Sequence, residues 1–191
     1  MNSKTKRIAG IGILAAIVIV LQVLATFVQI GPFAITLVLV PIVIGAALYG
    51  ISAGAILGGF FGVVVLFMTI TGADPAAHML WIANPIATLS VILLRGILAG
   101  ATAGLVYKAF HQKNKFVGTV CAAIVCPVVN TGLFLLAMYF IFPDFLALWA
   151  GSATTMYFLF IGMAGVNFLI ELGINLVLSP TIVRIVQIAR K

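Results

Sequence analysis

The chain has 191 residues, 64% of them hydrophobic, and carries ten Lys or Arg against three Asp or Glu, for a net charge of +7. Soluble domains carry about a quarter charged residues, so the 7% here excludes a soluble enzyme, a disordered tail and a nucleic-acid binder together. At roughly 20 residues per spanning helix, this length allows about six or seven bilayer crossings and leaves almost nothing for an extramembrane domain.

Apolar segments at about 8–30, 33–49, 51–71, 87–109, 117–142 and from 154 or later to 185 predict an all-α integral membrane protein with six transmembrane helices in one domain. The first run follows Lys4, Lys6 and Arg7. From Ile8 to Val28 it is too long for a secretory signal and lacks a small-x-small cleavage site, so it is expected to remain as the first span. Gly12 and Ala16 put a small-residue pair on it, suited either to packing within the bundle or to contact with a partner subunit.

The first turn is expected at Gly31 and Pro32, and the second around Tyr49 and Gly50. On the third span Gly50, Gly54, Gly58 and Gly62 recur every four residues, as do Gly96, Gly100 and Gly104 on the fourth. Residues four apart share a helix face, and in lipid such ridges let two backbones approach closely. Between these spans runs a longer connection from Gly72 to Asn84, containing Asp74, His78 and Trp81. The later breaks are the polar run from His111 to Lys115 and the segment from Pro143 to about Ser152.

An even number of crossings returns both termini to one side. With the N-terminus cytoplasmic, Lys4, Lys6, Arg7, Lys108, Lys113, Lys115, Arg184, Arg190 and Lys191 all face inward, while Asp74 and Asp144 fall on outer connections, as the positive-inside bias requires.

Arg95 is the exception. An arginine within a span costs about 2.5–3.5 kcal/mol on insertion scales, so it must face the bundle interior, a watery cavity or a partner. Counting from Ala87 at about 1.5 Å per residue places it about 12 Å below the outer surface. Glu171 is its acidic counterpart. A sixth span starting near Ala164 puts Glu171 about 10 Å deep and level with Arg95, whereas a start at Thr154 puts it much deeper. The two charges form either a structural ion pair or part of a ligand site.

Asn167, Glu171 and Asn175 line one face of the last span, where helix-to-helix bonding suits Asn175 best. Asn130 follows Pro127 by three residues in the fifth span, and a proline there frees a backbone carbonyl beside the amide. Trp81 and Asn84, with His78, are candidates for a lid over a pocket floored by Arg95 and Asn130. The plainer alternatives are an interfacial anchor for Trp81 and a helix start for Asn84-Pro85.

Several motifs fail on context. Gly50-Ile51-Ser52-Ala53-Gly54 fits a nucleophile elbow, but both histidines are expected away from Ser52. Asn84-Pro85 matches half of a paired water-channel signature and has no second copy. Cys121 and Cys126 fit neither a redox pair nor a zinc knuckle and are expected to pack. With no metal site and no phosphate loop, the chain is not expected to be an enzyme or to hold a cofactor, and any active uptake must draw on energy from elsewhere.

The layout resembles the substrate-binding S components of energy-coupling factor (ECF) transporters, six-helix bacterial plasma-membrane proteins that capture vitamins. The resemblance spans nearly the whole chain: the basic start and small-residue first helix, Phe33 to Gly50, the glycine-rich third span, Leu94 to Lys108, and Asn167 to Pro180. It is nearest to the pantothenate-binding branch. The resemblance implies capture of a vitamin from outside, then docking on one transmembrane scaffold subunit and two ABC-type ATPases that use ATP. The docking face it implies has small residues at Ala9, Gly12 and Ala16, although Ile13 stands where an alanine four residues after Ala9 is usual. Arg95 and Asn130 independently suit an anionic, hydroxylated, amide-containing molecule such as pantothenate. Riboflavin, a pyridoxine-like or a pyrimidine ligand is the alternative cargo, and a stand-alone channel or facilitator the alternative class.

Overall fold

The computed structural model describes residues 3–25, 29–30, 33–34, 37–112 and 114–189. Its elements are α1 (Ser3–Ala25), β1 (Gln29–Ile30), β2 (Phe33–Ala34), α2 (Leu39–Tyr49), α3 (Ile51–Thr71), α4 (Pro75–Ala83), α5 (Pro85–Phe110), α6 (Lys115–Phe140), α7 (Pro143–Ala150), α8 (Thr155–Tyr157), a π-helical segment (Phe158–Gly165) and α9 (Val166–Ala189).

Among the described residues, five stretches are long and apolar enough to cross a bilayer: Lys4–Ala25, Ile51–Thr71, Pro85–Phe110, Lys115–Phe140 and Phe168–Ile188. A sixth arises if Pro143–Ala150 and Thr155–Gly162, bent by 94° at their break, count as one. The expected second span, 33–49, needs correction. Its helix begins only at Leu39 and has 11 residues, about 16 Å of rise against a hydrocarbon core of about 30 Å. Phe33–Ala34 instead pairs antiparallel with Gln29–Ile30. Half of the residues from Phe33 to Val40 are β-branched, and a short apolar run of that kind does not separate strand from helix by hydropathy. The turn expected at Gly31 and Pro32 lies outside the described residues, as do Lys113, Arg190 and Lys191.

The chain nevertheless crosses between α1 and α3. Arg7 Nη2, near the start of α1, donates to Ser52 Oγ at the start of α3 at 2.7 Å. The two helices therefore begin at the same end of the bundle, and the chain between them must return across its width. The strand pair and α2 make that return. The same bond gives Ser52 a structural role at a helix end.

The helix α2 is the centre of the bundle. Val38, Leu39, Ile42, Val43, Ala46 and Ala47 are fully buried, and α1, α3, α5, α6 and α9 pack around them. A helix apolar on every side belongs in such a position. Gly50, at φ +89°, closes α2 and opens α3 in a backbone conformation that a side chain would strain.

The glycine ridges meet as expected, in antiparallel register. A Cβ on Gly58 would fall on the carbonyl of Gly96, and one on Gly100 on the carbonyl of Gly54. Gly58→Ala should therefore push α3 from α5 and lower the unfolding temperature in detergent, a cost of about 1–3 kcal/mol. Gly132→Ala on α6, where a Cβ meets nothing within 4 Å, is the control and should not lower the transition, since alanine favours a helix interior over glycine.

Candidate functional site

Beside the α3–α5 contact, towards the end of the bundle that carries α4 and α7, lies a cavity of about 130 Å³. The walls come from α1, α3, α5, α6, α7 and α9, and the N-terminal part of α4 closes over them. Among the described residues, three charged side chains reach it: Arg95 from α5, Glu171 from α9 and Asp74 from the start of α4. Glu171 and, more weakly, Asp74 are the carboxylates whose charge acts on Arg95.

Arg95 is held between aromatic faces. Its Cζ lies 5.1 Å from the Phe134 ring centroid and 5.9 Å from that of Phe61. Each such contact contributes on the order of 0.5–2 kcal/mol, so the pair offsets a substantial part of the roughly 2.5–3.5 kcal/mol insertion penalty. A ring face engages the charge and does not consume the in-plane N–H donors. Arg95 Nε is shielded from solvent and has no hydrogen-bond partner among the described residues.

Two more cavity-lining side chains share that condition. Asn130 is 5% exposed and Thr88 is 3% exposed, and neither Asn130 Oδ1 nor Thr88 Oγ1 has a partner among the described residues. Asn130 follows Pro127 inside α6, where the missing N–H leaves the Ala123 carbonyl without its helical donor. Buried polar atoms are almost always paired, so an amide oxygen, a hydroxyl and a guanidinium N–H converging on one cavity mark a place where a polar molecule can complete the bonding.

Of the residues expected to form a site, Arg95, Asn130 and Glu171 come together here. Glu171 lies on α9, which continues directly from the π-helical segment Phe158–Gly165. The side chain of Asn167 lies outside the described residues. Asn175 is fully buried and turns back on its own helix, Nδ2 donating to the Glu171 carbonyl at 2.8 Å.

Trp81, His78 and Asn84 do not line the cavity. The connection that carries them is the helix α4, which turns Asp74, Ala76, Ala77 and Leu80 towards the cavity. His78 Nδ1 donates to the Thr69 carbonyl at 2.8 Å. Asn84 is exposed and caps α5, its Oδ1 accepting from Ala87 N at 3.1 Å. Asp74 caps α4 in the same way, accepting from Ala77 N at 3.1 Å. The tryptophan at the cavity is Trp149 of α7, with Phe142 and Phe168 nearby.

The sequence reading passes over Gln22, Thr88, Thr131 and Trp149. Gln22 had a usable signal, being a polar residue well inside a predicted span. Ala9, Gly12 and Ala16 are exposed on α1, where Ile8 and Ile13 are 71% and 64% exposed. Among curated proteins none matches the chain. A family model described as "ECF transporter, substrate-specific component" matches residues 6–183.

Proposed function

The chain belongs to the substrate-specific component family of ECF transporters, and we propose that its cargo is a carboxylate-bearing vitamin, pantothenate, captured in the Arg95 cavity. Members of this family are the substrate-binding subunits of ECF importers and work with a shared scaffold and ATPase module. In our reading the protein sits in the bacterial plasma membrane with both termini cytoplasmic. It takes cargo from the outside through the end covered by α4 and α7, then releases it inward when ATP is hydrolysed by the partner subunits.

The observation that carries this reading is the convergence of Arg95 Nε, Asn130 Oδ1 and Thr88 Oγ1, without partners among the described residues, on one cavity. Pantothenate has a carboxylate at one end, an amide in the middle and two hydroxyls at the other end. Arg95 can grip the carboxylate through charge-assisted bonds. Asn130 and Thr88 suit the amide, and the carboxylate of Glu171 suits hydroxyl donors. A bare monoanion would face Glu171 and Asp74 unfavourably, so this cavity favours an anion that also brings donors.

The aromatic walls support a second reading. Trp149, Phe142 and Phe168 could face a flat ring, so riboflavin or a pyridoxine-like or pyrimidine vitamin is the alternative cargo. One experiment separates the readings: purify the protein alone in mild detergent, release bound small molecules and weigh them. Pantothenate close to one per chain is the expected result. A flavin, pyridine or pyrimidine mass would transfer the site to the second reading. An empty protein that also fails to bind added pantothenate would favour a channel, whose sites must exchange rapidly.

A further inference from the structure

The helix α1 buries one narrow stripe: Ala15, Val18, Gln22 and Ala25, at 5%, 0%, 5% and 4% exposure. These positions recur at three- and four-residue steps, so they share one face. Three of the four are apolar, as expected for a helix seated on a core, and the fourth is an amide. Gln22 is the one buried polar side chain on α1 among the described residues. Gln22 lines the same cavity as Arg95, Asn130 and Glu171. The opposite side of α1 is uncovered, with Ile13 at 64% and Val20 at 56% exposure.

We infer that Gln22 is a cargo-contacting, specificity-determining residue that brings α1 into the binding site. This rests on the cavity being the cargo site. An amide both donates and accepts, so Gln22 suits a ligand amide or hydroxyl, leaving the carboxylate to Arg95. One rigid helix would then contact cargo on its inner face and carry the exposed small residues Ala9, Gly12 and Ala16 on its outer face. The competing role for a buried glutamine is bonding between helices, which would affect stability and leave affinity unchanged.

The test is calorimetric titration of purified wild type, Gln22→Leu and Gln22→Glu with pantothenate, together with their unfolding temperatures without it. Gln22→Leu keeps the stripe apolar and should bind about tenfold more weakly with an unchanged unfolding temperature. Gln22→Glu removes the donors and adds a third carboxylate to the cavity, so it should bind more weakly still. Wild-type affinity in Gln22→Leu, or lost stability with unchanged affinity, would overturn the inference. Native mass spectrometry of the proteins as purified extends the test to a retained molecule of any mass. There, Gln22→Leu should carry less than about a tenth of the wild-type adduct, and equal occupancy would overturn the inference. If the wild type is empty and does not bind pantothenate, the cavity reading fails, and the role of Gln22 fails with it.

Discussion

Arg95→Ala is expected to weaken pantothenate binding by at least about 30-fold, because truncating one partner of a buried charge pair costs about 2–5 kcal/mol. The protein should still insert and fold, since the helix contacts that assemble the bundle are the α3–α5 glycine ridge and the apolar shell around α2. Arg95→Lys keeps the charge without the two-pronged donor geometry and should recover only part of the affinity. Titration calorimetry and thermal unfolding on the same samples separate cargo binding from structure. If Arg95→Ala instead unfolds the bundle and an added Glu171→Gln restores it, Arg95 and Glu171 are a structural ion pair, and the cargo carboxylate is held elsewhere.

The second large effect should come from the opposite face of α1. Ala16→Trp places a bulky ring where Ala9, Gly12 and Ala16 leave a shallow exposed surface, and no atom lies within 4 Å of a Cβ added to Gly12. The fold has room for such a change. Close helix approach in lipid does not, because it depends on small residues. Ala16→Trp should therefore lower uptake of labelled pantothenate by cells at least about tenfold and abolish co-purification with the scaffold and ATPase subunits. Binding to the isolated protein should stay within about twofold. Undiminished uptake would move the docking surface away from this face.

How legible each feature was depended on which physical signal encoded it. The glycine ridges were readable because a four-residue recurrence means one helix face whatever surrounds it, and Gly54 against Gly100 and Gly58 against Gly96 meet in that way. The second crossing was readable as an apolar segment but not as a strand pair followed by the short helix α2, because hydropathy over a short run is blind to backbone geometry. Arg95, Asn130 and Glu171 stood out because a polar group inside a span needs a reason. Gln22 meets the same criterion. Trp81 and Trp149 could not be ranked from sequence. Both lie on short, nearly uniformly apolar helices, and which tryptophan meets the cavity depends on how α4 is rotated against α3 and α5 and α7 against α6, a tertiary property. His78 and Asn84 are polar, but local backbone groups engage both: the Thr69 carbonyl and the first turn of α5.

The most direct measurement compares pantothenate with pantothenol, the same molecule with its carboxylate replaced by a hydroxymethyl group, in titrations of the purified wild-type protein. If the Arg95 guanidinium holds the cargo carboxylate, pantothenate should bind at least about 30-fold more tightly than pantothenol, and Arg95→Ala should erase most of that preference. Equal affinity of the wild type for both molecules would contradict the account.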